Sequence, residues 1–255
     1  MQWDPALYLQ YGEERLRPAL DLLARVPLGA PLRVVDLGCG AGNVTAILRR
    51  RFPAAEVSGV DGSGAMLAKA RAAAQGCTFV EADIGTWTPS RPPDLLYSNA
   101  ALHWLGDHAT LFPRLLGLLA PGGVLGVQMP VMHDAPFRAL QYEVAAHGPW
   151  APLLAGVASA PPILAPATYW DLLRPSSAGL EIWETTYLHA LEGEDAVVQW
   201  ASGSSLRPFL APLGETLRAD FLRAYRAALA PHYPRRADGT TLFAFRRLFM
   251  VAQVA

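Results

Sequence analysis

Val34-Val35-Asp36-Leu37-Gly38-Cys39-Gly40-Ala41-Gly42-Asn43 is the stretch that decides the reading of this chain. Residues 33–37 form a short apolar run that stops at glycines, which is the pattern of a buried strand. Residues 42–51 follow as a helix, with Val44, Ile47 and Leu48 on one face. Between them the glycines let the backbone turn sharply and approach a ligand closely. The spacing is Gly-x-Gly-x-Gly. Asn43 stands where a dinucleotide-binding turn has its third glycine.

Outward from this turn the chain repeats the same unit. Strands are expected at 56–60, 77–81, 94–98 and 124–129, and helices at 65–74 and 107–119, where Leu111, Leu115 and Leu118 recur at helical spacing. Repeated strand–helix units of this length predict a parallel sheet covered on both faces. After Pro130 the pattern changes. Residues 131–177 hold short helical stretches and a proline-rich loop from Pro149 to Pro166. Residues 180–191 alternate like a strand, 194–233 read as helical, and Leu248–Ala252 is a last strand. The expected fold class is α/β, a Rossmann-like and mostly parallel seven-stranded sheet with a mainly helical cap. The single domain divides into an N-terminal lid (1–30), a core (31–130 with the late strands 180–191 and 245–254) and a cap (131–177 and 194–240). A cap over the carboxyl ends of parallel strands is where a small-molecule site is expected.

Each of the first three strands ends near an acid. Asp36 lies two residues before the first glycine, Asp61 closes the second strand, and Asp83 follows the third. A carboxylate at position 36 repels a pyrophosphate and suits a ligand carrying an ammonium or sulfonium charge. A carboxylate at position 61 is placed to accept hydrogen bonds from two ribose hydroxyls, and Asp83 suits the exocyclic amine of adenine. Acids after strands also cap helices and turns; it is the set that carries weight.

Composition excludes several other classes. The chain has 255 residues, of which 52% are hydrophobic, and a formal net charge of −1. A coat for nucleic acid needs a clear positive surplus. Two cysteines, Cys39 and Cys77, rule out a disulfide scaffold and a cysteine-rich zinc centre, and no metal is expected. The start, Met1-Gln2-Trp3-Asp4-Pro5, lacks the basic and apolar segments of a signal peptide. The stretch Leu153–Ala167 is too short and too proline-broken to span a bilayer. A soluble cytoplasmic protein is the expectation. Lys69 is the only lysine, which reads as a coding bias toward arginine.

With Asn99-Ala100 after the fourth strand and Pro121-Gly122-Gly123 before the fifth, the first half resembles the class I S-adenosylmethionine-dependent methyltransferases. The resemblance implies that Asp36 and the backbone of Gly38, Cys39 and Gly40 meet the methionine part of that cofactor. Asp61 and Gly62 then meet the ribose, Asp83 and Ile84 the adenine, and Asn99 and Ala100 the sulfonium end. Met66 is either a lid on the adenine or core on its helix.

A narrower likeness covers nearly the whole chain. Trp3-Asp4-Pro5, Tyr8-Leu9, Glu14-Arg15, Arg17-Pro18-Ala19, Ser98-Asn99-Ala100, Val127-Gln128-Met129-Pro130, Trp183, Thr185-Thr186-Tyr187, Leu206-Arg207-Pro208, Tyr233-Pro234 and Arg247-Leu248-Phe249 resemble the trans-aconitate 2-methyltransferases. This implies methyl esterification of a small tricarboxylic acid, with S-adenosylhomocysteine as the second product. A carboxylate has a pKa near 4 and is already a nucleophile at neutral pH, so no proton-transfer residue is indispensable. His103 and Trp104 are candidates for positioning only. Arg207, Arg247, Arg15, Tyr8 and Tyr11 are candidates for holding the acid; the competing role for the two late arginines is a structural salt bridge. The chain departs from the family pattern at Val131–Phe137, Ala41 and His103. Three rivals stand beside this reading: transfer to another small acid or a carrier-bound dicarboxylate, a noncatalytic regulator that binds the same cofactor, and a nicotinamide oxidoreductase.

Overall fold

The strand Arg33–Leu37 (β1) forms the centre of the sheet because its side chains are apolar on both faces, and four of its five residues are buried. In the computed structural model, which describes residues 12–157 and 163–255, β1 runs parallel to Glu56–Asp61 (β2) on one side and to Leu95–Asn99 (β4) on the other. Thr78–Glu81 (β3) pairs with β2, and Val124–Pro130 (β5) with β4, all parallel. Thr240–Gln253 (β7) then pairs antiparallel with β5, and Gly179–Glu192 (β6) lies at the edge. The order β3-β2-β1-β4-β5-β7-β6 reverses direction between β1 and β4. That reversal opens a crevice at the carboxyl ends of the two strands, the usual ligand position in such sheets.

The helices Asn43–Arg51 (α2), Gly64–Ala73 (α3) and His108–Gly117 (α4) connect the strands. In α2 the buried positions are Thr45 and Leu48, so the stripe expected over Val44, Ile47 and Leu48 is rotated and carries a polar residue. That polar residue has a task, described below. The last strand begins at Thr240, eight residues before the apolar run that signals it. Its early residues alternate between buried and exposed, a weaker pattern than an all-apolar run.

The described residues divide into two units. The first contains 15–130, 163–185 and 247–255; the second contains 12–14, 131–157 and 186–246. Most of the helix Gly12–Ala24 (α1) therefore belongs to the sheet unit, where Ala19 and Leu22 are buried. The expected lid over 1–30 narrows accordingly. Residues 1–11 lie outside the described residues. The helix Pro166–Leu173 (α7), expected in the cap, is also part of the sheet unit.

The second unit is built from Pro136–Ala146 (α5), Ala151–Leu154 (α6), Ala196–Ser202 (α8), Arg207–Leu210 (α9) and Glu215–Leu229 (α10), with the early part of β7. Its core is aromatic, with Phe137, Trp150, Trp200, Phe209, Phe221 and Phe243 all buried. One polar thread runs through it. Gln141 donates to Ser205 Oγ at 2.8 Å, and Tyr225 donates to the Phe137 carbonyl at 2.7 Å. Such a buried network is tolerated because its members are bonded.

In the sheet unit, the fully buried Tyr97 donates its phenol to the carbonyl of Ala19 and ties α1 to β4. Burial, reinforced by the charges of Asp36 and Asp21, pushes this phenol well above its ordinary value, so it stays a donor. Tyr97→Phe leaves a buried carbonyl without that donor. The expected loss of stability is about 1–3 kcal/mol, read as a lower urea midpoint at unchanged slope; an unchanged midpoint would contradict the tie.

Candidate functional site

The glycine turn is fixed from three directions. Gly38 has φ +80°, and a Cβ there would stand 2.2 Å from the Cβ of Ala101. Only glycine permits both the backbone angle and that approach. The turn is thereby pressed against the segment that leaves β4. The N–H groups of Gly38 and Cys39 both donate to the Val60 carbonyl, at 2.8 and 3.1 Å. The Gly40 N–H donates to Asp61 Oδ2 at 2.8 Å, and the Ser63 N–H to Asp61 Oδ1 at 2.9 Å. Asp61 is only half-buried, and each of its oxygens has a second lone pair. It can hold the loop and still accept from two hydroxyls. Gly62 beside it is exposed.

Asp36 is differently placed. Its side chain is 1% exposed and accepts from the Thr45 hydroxyl at 2.6 Å. Burial raises its carboxyl from 3.8 to about 7; Asp61 adds to the rise and the Thr45 bond opposes it. In this structure the described partner of its side chain is Thr45, on α2. Its effect at the crevice is that of a field. Cys39 is buried too, and burial with the two nearby acids pushes its thiol up to about 12. It is a packing residue and not a thiolate nucleophile.

The third strand brings its residues to the same turn. Ile84 Cδ1 is 3.5 Å from the point a Gly38 Cβ would occupy. Asp83 is exposed and its Oδ1 accepts from the Gly85 N–H at 2.8 Å. Met66 is not one of the buried residues of α3, which are Leu67 and Ala70. Its reading as core is thus the weaker one.

At the end of β4 the backbone kinks. Ala100 has φ +54°, and its N–H donates to the Gln128 carbonyl at 2.9 Å. The Asn99 Oδ1 is buried with no hydrogen-bond partner among the described residues. His103 is half-buried, with its ring centroid 4.7 Å from that of Trp104, which is 58% exposed. Arg247, on β7, is 6% exposed, and its Nη1 donates to Gln128 Oε1 at 3.4 Å.

Arg207 lies at the start of α9 in the second unit. Arg15 falls within α1, and Tyr8 and Tyr11 lie outside the described residues. Of the candidates for holding an acid, Arg247 alone is thus placed in the sheet unit with its side chain described.

Residues 34–123 match the family described as a methyltransferase domain. The chain is 53% identical to a trans-aconitate 2-methyltransferase of Methylobacterium radiotolerans, covering 99% of this chain and 98% of that relative. It is 50% identical to the protein of the same name from Yersinia pestis, covering 98% and 97%. The chain belongs to the trans-aconitate 2-methyltransferase family. Among solved structures, a crystal structure of an S-adenosylmethionine-dependent methyltransferase from Mesorhizobium loti is similar in fold, with a TM-score of 0.53, 24% identity, and 95% and 99% of the two chains covered.

Of the departures at 131–137, three are interior, and His133 and Asp134 are exposed. Val131, Met132 and Phe137 are buried in the second unit, where Asp134 pairs with Arg246 at 3.3 Å. Two residues of the site escape a reading of the sequence. Thr45 is hidden because its neighbours Val44 and Ile47 suggest an apolar face. Gln128 is a lone polar residue inside an otherwise apolar strand; that interruption is the signal that could have flagged it.

The raised Asp36 pKa has a consequence for stability. The unfolded group loses its proton near 3.8 and the folded one near 7. Between those values the folded state holds more protons, so this group's contribution falls as pH rises and is constant above about 7. Asp36→Asn keeps the acceptor for Thr45 and removes the titration. Urea unfolding is expected to show a gain over wild type that grows from pH 5 to pH 8. Parallel pH profiles for the two proteins would contradict the burial account.

Proposed function

We propose that this chain transfers a methyl group from S-adenosylmethionine to a carboxylate of trans-aconitate, giving a methyl ester and S-adenosylhomocysteine. The observation that carries the reading is identity at half of the positions, over nearly full length, with proteins of that name. The charge pattern at the carboxyl ends of β1 and β2 agrees with it. Asp61 makes the crevice electronegative and Asp36 adds charge as it ionises, which suits a cationic donor and not a pyrophosphate.

Gly38, Cys39 and Gly40 with Asp36 serve the methionine part, Asp61 and Gly62 the ribose, Asp83, Ile84 and Met66 the adenine, and Asn99 and Ala100 the sulfur end. When bound, the cofactor supplies a methyl group on a positively charged sulfur, electrophilic without further activation. The acceptor carboxylate is ionised at neutral pH, so the chain has no proton to remove. Its task is to align the reacting oxygen and to exclude water, effects that are large for well-oriented partners. Arg247 and Arg207, with Arg15, Tyr8 and Tyr11, supply the positive charge and donors that a trianion requires. His103 and Trp104 position the acceptor and do not act as a base.

Among the described residues no helix is long and apolar enough to cross a membrane. With a net charge of −1, we read the protein as a cytoplasmic enzyme of small molecules and not a nucleic-acid binder.

The test is product formation from methyl-labelled cofactor over a panel of di- and tricarboxylates. Trans-aconitate is expected to have the highest kcat/KM. Another acid preferred by more than tenfold would reassign the acceptor, and tight S-adenosylhomocysteine binding with no turnover of any acid would make the chain a regulator. On the same substrate, His103→Gln is expected to keep kcat within about tenfold. A general base would cost roughly 10²–10⁴ on removal, and a loss of that size would contradict the absence of base catalysis.

A further inference from the structure

The amide of Gln128 is used at only one end. Gln128 is fully buried in β5, and its Oε1 accepts from Arg247 Nη1 at 3.4 Å. Guanidinium groups have donors only, so this bond fixes the amide with oxygen toward Arg247 and nitrogen away from it. The Nε2 is buried and has no hydrogen-bond partner among the described residues. A buried amide N–H₂ without an acceptor is costly, and such a group calls for a partner: a ligand group, an ordered water or an ion.

The sheet register says which ligand group. Asn99 on β4 pairs with Gln128 on β5, and Gln128 pairs with Phe249 on β7, two residues from Arg247. Alternation along β7 puts Arg247 and Phe249 on one face, the face shared by Gln128 and Asn99. Three polar side chains therefore line the carboxyl ends of β4 and β5 and the adjoining part of β7. Their polarity is graded. Asn99 offers an unpartnered acceptor oxygen on β4; Gln128 and Arg247 offer donors one and two strands away. Neighbouring strands are about 4.8 Å apart. That spacing separates a carboxylate held by the donors of Gln128 and Arg247 from the acceptor oxygen of Asn99, which suits the positive sulfur end.

We propose that Gln128, held by Arg247, is a specificity-determining residue that receives a non-reacting carboxylate of the acceptor through its Nε2–H₂ group. This inference rests on the reading of the chain as a trans-aconitate methyltransferase and adds the group that selects for the extra carboxyl. Arg247 supplies charge and orients the amide; Gln128 supplies a neutral N–H donor to a carboxylate oxygen.

The experiment compares wild type with Gln128→Met and Gln128→Glu. Methionine keeps the volume and removes the donors. Glutamate keeps the contact to Arg247 and puts an acceptor where the donors stood. Each protein is titrated with S-adenosylhomocysteine, then with trans-aconitate on that complex by calorimetry. Kinetics are measured with trans-aconitate and with a trans-dicarboxylate that lacks the third carboxyl. The expected result for both variants is S-adenosylhomocysteine affinity within about twofold of wild type. Trans-aconitate affinity should fall by about tenfold to a hundredfold, the worth of a hydrogen bond to a charged group. KM should carry most of the change, and kcat/KM for the dicarboxylate should fall by less than about threefold. Equal losses on both acids, or no loss on either, overturn the proposal. Loss of S-adenosylhomocysteine binding in both variants also overturns it, because Gln128 then serves the cofactor or the core. If wild type turns over neither acid, the functional reading fails and takes this inference with it. Normal wild-type turnover with unaltered variants removes this inference alone.

Discussion

The carboxylate of Asp61, at the end of β2, holds the glycine turn at the end of β1 through the Gly40 N–H. Everything about the crevice follows from that bond. It sets the loop's distance from the second strand, and the Ala101 side chain against Gly38 sets its distance from the fourth. Burial raises the Asp36 pKa, and the Asp61 carboxylate, on the neighbouring strand, adds to the rise. The fold thus concentrates negative charge where parallel sheets of dinucleotide enzymes keep a neutral, phosphate-accepting turn. Two acids so close in a partly buried site are unfavourable for the empty protein. A positive charge between the strand ends offsets that cost, in agreement with the proposed cationic cofactor.

The far side of the same strand ends carries the opposite sign. Arg247 on β7 reaches the level of Gln128 because β7 runs antiparallel to β5, with Arg247 opposite Pro130. An antiparallel seventh strand brings a late residue of the chain to the carboxyl ends of the early strands, which a parallel strand in that place would reach only with its own end. The sheet unit therefore presents an acidic half over β1 and β2 and a donor half over β5 and β7, with Asn99 and the kinked Ala100 at the divide. In the proposed reaction the cationic donor and the anionic acceptor meet near β4, where alignment is the chain's task.

Much of this architecture is legible in the sequence. The five parallel strands are short runs, the first three ended by glycine or acid, the fourth by Asn99 and the fifth by Pro130, and each lies within a few residues of its expected place. Asp61, Asp83 and Asn99 are legible as well, because acids and amides at strand ends stand out against apolar runs. What the sequence conceals is direction. Asp36 stands out as an acid inside an apolar strand, but that its carboxylate accepts from Thr45 on α2 does not show in the sequence. Gln128 looks like part of a family motif, and only the register with Asn99 and the approach of Arg247 reveal its free amide end. The early residues of β7 and the place of α7 and most of α1 in the sheet unit depend on long-range packing, which local periodicity does not encode.

The most direct measurement is a crystal structure grown with S-adenosylhomocysteine. The account predicts density at the ends of β1 and β2, the ribose diol on the free lone pairs of Asp61, the amino-acid end over Gly38–Gly40, and the sulfur facing Asn99 and Ala100. A crevice left vacant, with Asp61 bonded only to the N–H groups of Gly40 and Ser63, would contradict it.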